Sequence, residues 1–169
     1  MVEYLDIVNE DNKVIGNTSK DEIYEKKLNH RIVHIIVINP KTKEIYWQKR
    51  SESKSFLPGF YCTSAGGHVQ SGESYFEAAT RELKEEIGLE VSIIDAGEMI
   101  FESDNHKRFI RIYVAYAQNG FNFEDGEVAE GEFLSFEKAD KLILVGEKIH
   151  PQLEVCYKWL QSNPQYFLD

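Results

Sequence analysis

One stretch constrains this chain more than any other: Gly67-His-Val-Gln-Ser-Gly-Glu73-Ser-Tyr-Phe-Glu-Ala-Ala-Thr-Arg81-Glu82-Leu83-Lys84-Glu85-Glu86-Ile87-Gly88-Leu89. Ser74-Tyr-Phe-Glu77 is a capping box, in which the serine and glutamate satisfy free amides at a helix start. Phe76, Ala79, Leu83 and Ile87 share one face and predict a core-facing stripe. Gly88 is placed for a left-handed cap that ends the helix. At about 100° per residue, Glu82, Glu85 and Glu86 fall within an arc of roughly 100° on another side. Like charges at these spacings cost a helix a few tenths of a kcal/mol per pair, so water or a cation must offset them. Hard divalent ions take carboxylate oxygens and also bridge phosphates. Arg81 lies four residues before Glu85 and can hold that carboxylate in one rotamer. The glycine-rich segment Ser64-Ala-Gly-Gly67 reads as a turn whose backbone can approach the same ions or phosphates closely.

The rest of the composition narrows the setting. At 169 residues, 42% hydrophobic and 12% aromatic, the chain can bury a core, which excludes wholesale disorder. The expected organisation is one domain over residues 1–169. The longest apolar stretch, Ile32 to Ile38, is too short to span a bilayer and is interrupted by His34. The acidic N-terminus lacks the basic-then-apolar pattern of a secretory signal, so a cytoplasmic location is expected. Cys62 and Cys156 are too few for a disulfide framework and read as small buried hydrophobes. With 29 acidic against 19 basic residues the net charge is −10. Such a surface repels long nucleic acids, yet a bound cation can reverse the sign locally for a small phosphorylated ligand.

A coarse pass places the elements. Tyr4–Val8 and Lys13–Asn17 read as a hairpin around Glu10-Asp11-Asn12, and Ser19-Lys-Asp-Glu22 opens a short helix towards Leu28, making an N-terminal unit over 3–28. Arg31–Ile38 and Glu44–Lys49 read as strands joined at Asn39-Pro40, followed by a short strand at Phe60–Ser64. Val91–Glu102 and Arg108–Gln118 form a longer pair, and Glu132–Phe136 is the last strand. Ser135 can cap a helix to Leu142. Pro151 and the stripe Leu153, Cys156, Tyr157 and Leu160 predict a C-terminal helix over about 148–162. Strands outnumber helices, so the fold class is α/β (α+β), a mixed sheet with helices packed on it.

Glu85-Glu86 alone reads as a solvated helix face. The whole pattern does not. It follows G-x5-E-x7-R-E-U-x-E-E-x-G-U, U being aliphatic, across 67–89 without a departure. Its seven fixed letters recur by chance on the order of 10⁻⁹ to 10⁻⁸ times per start position. The segment resembles the box of the Nudix hydrolase family. That resemblance implies a mixed sheet sandwiched between helices and hydrolysis of a diphosphate linked to another moiety, often a nucleoside, with Mg²⁺ or Mn²⁺. It also implies that Glu82, Glu85 and Glu86 are metal ligands, one of them a general base. Gly66 would offer its carbonyl to a metal, and Glu73 would stabilise the helix start or reach a metal through water.

The resemblance continues from about Tyr4 to Phe136. Val14-Ile15-Gly16, His30-Arg31-Ile-Val-His34, Gln48-Lys49-Arg50, Pro58-Gly59 and Thr63-Ser-Ala-Gly-Gly-His68 are similar to the isopentenyl-diphosphate-isomerase-like branch. His30, His68, Asp125 and Glu127 match four metal-site positions of the isomerases. Gly66 stands where they carry a catalytic cysteine, and a histidine expected near Ile23 is missing. An isomerase-type enzyme is therefore the alternative, and a nucleotide-sensing domain without turnover is another. Arg50 and Lys54 follow a strand that faces the site in this family and are candidates to grip a phosphate, with solvated loop charges as the plainer reading. Glu124, Glu127, Glu130 and Glu132 read as an acidic loop; Glu127 is the candidate distal carboxylate. Tyr46, Trp47, Phe56, Phe60 and Tyr61 could stack a base, although core packing explains strand aromatics equally well. The expected partner is a small diphosphate substrate, with no long nucleic acid and no membrane; no oligomeric state is read.

Overall fold

In the computed structural model, which describes residues 2–146 and 148–168, the chain opens on the expected hairpin. Strand β1 (Tyr4–Val8) runs antiparallel to β2 (Val14–Ser19). Ser19 caps α1 (Lys20–Glu25) by accepting from the Glu22 amide. The Glu22 carboxylate turns instead to Thr18 and Lys26, so only half the capping box forms. The helix also stops short of Leu28, because Lys27 takes a left-handed conformation at φ 55°.

Strand β3 (His30–Ile38) organises the rest. Successive strand side chains point to opposite faces, so Ile32, Ile36 and Ile38 enter one core while Val33, Ile35 and Val37 enter another. A strand apolar on both sides must be covered on both. Next come β4 (Ile45–Arg50), β5 (Tyr61–Cys62), β6 (Ala65–His68), α2 (Tyr75–Ile87), β7 (Ile93–Ser103) and β8 (His106–Tyr116). Strand β9 (Val128–Leu134), α3 (Phe136–Val145), α4 (Pro151–Gln161) and a 3-10 turn (Pro164–Phe167) complete the described chain. The sheet order is β5-β4-β3-β8-β7, with β6 also on β3 and β9 also on β4; β3 and β8 are parallel. Helix α2 covers one face, and α3 with α4 covers the other. This is the mixed α+β sandwich anticipated from the pattern.

The sheet forks beside the glutamate helix. Strands β3 and β4 pair only at Val37–Tyr46 and Ile38–Ile45. Beyond that point β4 follows β9 as far as Arg50, while β6 takes up Ile32–Ile35 of β3. Ser64 bridges the fork: its hydroxyl accepts from the Val37 amide at 2.7 Å and donates to the Tyr46 carbonyl.

Several expectations change. The Ser64–Gly67 turn is mostly strand β6, and the Phe60–Ser64 strand shortens to Tyr61–Cys62. Gly66 serves close packing there: a Cβ would lie 2.7 Å from the Val33 carbonyl oxygen, the usual meaning of glycine inside a strand. Phe76 is 56% exposed, because it sits in the first turn of α2, where Tyr113 meets it edge-on at 6.4 Å. The last strand begins at Val128, so Glu130 and Glu132 are strand residues paired with Lys49 and Lys138 rather than loop charges. Helix α3 runs to Val145, three residues beyond the expected Leu142. The C-terminal helix is narrower than 148–162, with His150 as N-cap and Pro151 in its first turn. Cys62 and Cys156 are free and buried. Among the described residues no helix is long and apolar enough to cross a membrane.

Candidate active site

Helix α2 presents its acidic face to the fork. Relative to Leu83 at the centre of the apolar stripe, Glu86, Glu82 and Glu85 lie about 60°, 100° and 160° round the helix. Burial follows that order: Glu86 is 4% exposed, the Glu82 side chain 12% and the Glu85 side chain 54%. Packing against the fork therefore takes in the two carboxylates nearer the stripe and leaves Glu85 on the rim.

Arg81 ties the loop before α2 to these groups. Its guanidinium donates to both Glu73 oxygens at 2.9 and 3.0 Å, to Glu82 Oε1 at 2.6 Å, to Glu85 Oε2 at 3.2 Å and to the His68 carbonyl at 3.0 Å. Glu73 accepts in addition from the Gln70 amide. The clamp to Glu85 expected from spacing is present, and the bidentate pair with Glu73 adds the planar geometry arginine favours. Glu73 thus locks residues 68–73 onto the helix.

Glu86 reaches across the fork. Its Oε2 accepts from Gln48 Nε2 at 2.7 Å and from the Gly66 amide at 2.9 Å. Glu82 packs over Gly67, where a Cβ would come within 2.3–2.8 Å of the carboxylate. Burial raises the proton affinity of both groups, to about 7 for Glu82 and about 8 for Glu86; their mutual repulsion adds to the Glu86 shift, and Gly66 and Gln48 oppose it. Two acids this close and this dry do not both ionise readily without a counter-charge.

The opposite wall comes from the loop after β4 and the segment before β9. Lys54 pairs with Glu127, and Asp125 accepts from the Glu127 amide at 2.8 Å. The Ser51 amide donates to the Glu127 carbonyl. Arg50 donates to the Phe56 carbonyl at 3.1 and 3.0 Å, so its guanidinium holds the 51–59 loop. His68 shares a 2.6 Å hydrogen bond with Tyr24, and His30 lies beside it with ring centroids 5.5 Å apart. His30 Nδ1 meets the Leu28 carbonyl, while its Nε2 has no partner among the described residues.

Gln48, within the Gln48-Lys49-Arg50 motif, gains its role from the fold, as a donor to Glu86. A polar residue on the inward face of a strand whose neighbours are apolar is the signal that marks it. Lys20, ion-paired with Glu3 at 2.9 Å, adds a cation from the hairpin side and feels the charge of Glu127. Sequence offered no reason to bring residues 3 and 20 here.

The donor set fits a hard divalent cation. Glu82 Oε2 and Glu86 Oε1 accept no hydrogen bond among the described residues; Glu82 shares Arg81 with Glu73 and Glu85, and Glu86 is buried with no ion pair among the described residues. Among the described residues no three acidic, imidazole or thiol groups close around one point. A hard divalent ion held there would need further oxygens, which water and a phosphate can supply.

Comparison with known proteins agrees with this geometry. Residues 28–159 match the family model described as the NUDIX domain. The uncharacterized Nudix hydrolase YfcD of Escherichia coli K12 is 36% identical over 129 residues, covering 76% of this chain and 71% of that protein. The uncharacterized Nudix hydrolase PA4841 of Pseudomonas aeruginosa is 29% identical over 133 residues, 78% of each. Of solved structures, DR0079 from Deinococcus radiodurans superposes with a TM-score of 0.78 at 27% identity, covering 92% of this chain and 98% of that one. The MutT protein from Methanosarcina mazei Go1 gives 0.64 at 25% identity, covering 80% and 95%.

Proposed function

The chain belongs to the Nudix family of phosphoanhydride hydrolases, and we propose that its substrate is a nucleoside diphosphate derivative or a related small phosphorylated metabolite. Cleavage of the diphosphate linkage depends on Mg²⁺, with Mn²⁺ as the alternative ion. The observation that carries this reading is the pair formed by buried Glu86 and half-buried Glu82 beside Gly66 and Gly67, each with an oxygen that accepts no hydrogen bond among the described residues.

Glu82, Glu85 and Glu86 would hold the ion, with the Gly66 carbonyl and Glu127 as further oxygen donors. When bound, the ion offsets phosphate charge and makes water a better nucleophile. The chain supplies the rest. Gln48 and the Gly66 amide fix Glu86, and Arg81 fixes Glu82, so neither carboxylate must reorganise as charge develops. A buried glutamate with raised proton affinity is suited to take the proton of the attacking water. Lys54, released from Glu127 by an incoming phosphate, would balance charge on the leaving side, while Arg50 keeps the loop carrying Lys54 in place.

The isomerase alternative loses ground on geometry as well as sequence. A side chain at position 66 would meet the Val33 carbonyl at 2.7 Å and His34 Nδ1 at 2.8 Å. Cys62 does not replace it: it lies four residues earlier, buried in β5. The test is a panel of nucleoside diphosphates and their conjugates with Mg²⁺ and Mn²⁺, scored for phosphate-containing products. Turnover lost in Glu86→Gln supports the reading; no hydrolysis of any member with either ion overturns it.

A further inference from the structure

Between Ile32 and Ile36, strand β3 turns a polar residue into the core. Alternation places all three on the side covered by α3 and α4, and His34 is only 3% exposed. Burial lowers its proton affinity to about 4, so the imidazole is neutral, with one donor and one acceptor. Both are used. Nε2 donates to Gln152 Oε1 at 2.7 Å, and Nδ1 accepts from the Thr63 hydroxyl at 2.6 Å. Thr63 lies between β5 and β6, whereas Gln152 is in the first turn of α4, 118 positions away along the chain. Gln152 is itself fastened, its amide donating to Nδ1 of the capping His150 at 3.2 Å.

Directly across from His34 on β6 stands Gly66. A Cβ there would lie 2.8 Å from His34 Nδ1 and 3.2 Å from Cε1, so one edge of the imidazole occupies the place of the missing side chain. Gly66 in turn donates its amide to Glu86 Oε2 at 2.9 Å. The glycine therefore joins a buried polar network, on one side of the sheet, to a carboxylate of the candidate metal site on the other. An apolar side chain at position 34 would fill the same space without the cost of burying polar atoms. A fully bonded ring fixes its neighbours instead, and this ring is held by two elements distant in the chain.

We propose that His34 is a positioning residue for the hydrolysis: braced between Thr63 and Gln152, it sets the place of Gly66 and, through the Gly66 amide, that of the Glu86 carboxylate. The inference rests on the diphosphate-hydrolase reading above and deepens it. His34 acts only through Gly66, from the face of the sheet away from α2. Helix α4 thereby becomes part of the scaffold of the site, although it contributes no group to the chemistry. Gln48 fixes Glu86 from β4 and His34 fixes it from behind β6, so the carboxylate is held from both arms of the fork.

The test uses the full chain with His34→Leu, His34→Asn and Gln152→Leu, and reads three quantities. They are Mn²⁺ affinity by electron paramagnetic resonance without substrate, the Gly66 amide resonance by ¹⁵N NMR, and kcat and KM in the diphosphate panel. His34→Leu keeps an apolar volume and deletes both hydrogen bonds. It should weaken Mn²⁺ binding about tenfold, the scale of losing a group that orients a ligand, and shift the Gly66 amide. It should also lower kcat about tenfold to a hundredfold with KM little changed. His34→Asn still reaches Thr63 and should recover part of each loss. Gln152→Leu, which leaves the ring in place, should move all three in the same direction by less. Should His34→Leu fail to fold, the other two variants carry the same comparison. Wild-type Mn²⁺ affinity, Gly66 resonance and kcat in the folded variants would overturn the inference, as would equal losses in His34→Leu and His34→Asn, which mean packing alone. Altered Gly66 and Mn²⁺ signals in a protein that hydrolyses no diphosphate would keep the link from His34 to Glu86 and reject the hydrolase reading. Hydrolysis unchanged in every variant would do the reverse.

Discussion

Gln48 and Glu86 are 38 positions apart in the chain and share a buried 2.7 Å hydrogen bond. The bond joins the strand that leaves the fork to the helix that carries the glutamates. It exists because β4 departs from β3 after two paired positions, turning an inward strand side chain towards α2 instead of into the sheet's own core.

Gln48→Leu should therefore affect both stability and catalysis. It removes one of the two donors on Glu86 Oε2 without removing the carboxylate, and an under-satisfied buried acceptor costs about 1–3 kcal/mol. Urea denaturation should show a loss of that size, and kcat should fall because Glu86 is no longer held. Wild-type stability and rate in this variant would make the contact incidental.

Glu86→Gln and, separately, Glu85→Gln should remove most activity and leave the fold intact. Relief of like-charge crowding should keep stability equal or slightly raise it. The larger loss is expected at Glu86, the buried member, and the smaller at Glu85 on the rim. Activity across a Mg²⁺ titration, with a thermal melt of each variant, checks this; near-wild-type turnover of both at saturating Mg²⁺ would remove the helix from the mechanism.

The pH dependence of stability should have a defined sign. A carboxyl that binds its proton more tightly folded than unfolded stabilises the fold while protonated, and that contribution fades as pH rises through the raised values, about 7 for Glu82 and about 8 for Glu86. Buried histidines act at the other end. Burial lowers His30 and His34 to about 4 and His150 to about 3, so stability falls as pH drops below about 6.5, where the unfolded imidazoles take up protons first. In EDTA the melting temperature should peak near pH ~6.5 and decline towards pH ~8. Glu86→Gln should flatten the alkaline decline, and Mg²⁺ should restore the lost stability by binding the native state. A melting temperature that climbs steadily from neutral to alkaline pH in EDTA would contradict the buried acidic pair.

Glu127→Gln should lower kcat far more than Glu130→Gln. Glu127 pairs with Lys54 on the wall facing α2, whereas Glu130 is an exposed strand residue pairing with Lys49. A solvated loop role for Glu127 predicts equal, small effects. Rates of the two variants at several Mg²⁺ concentrations separate these outcomes.

Much of the site was legible because it is local. The cap at Ser74, the stop at Gly88 and the spacing from Glu73 to Glu86 lie within one loop and one helix, and helical geometry converts spacing directly into a shared face. Phe76 shows the limit of that logic: its angle places it on the buried stripe, but no layer extends far enough to cover it. The glycine segment 65–67 shows another, since nothing near it in the chain indicates that β3 would accept it as a strand.

By itself, then, the sequence determined a Nudix box, a mixed sheet with helices on it, and three carboxylates gathered on one side of α2. Each follows from interactions between residues a few positions apart or from the alternation of a single strand. Only the tertiary structure decided that Glu86 is buried, Glu82 partly so and Glu85 not, that Gln48 holds Glu86, that Arg50 secures a loop, and that the Tyr46 hydroxyl lies over Gly131. These depend on where β4, β6 and β9 pair. Strand pairing is settled by which distant apolar faces can be buried together, and no periodicity along the chain encodes the side chains that such pairing brings into contact.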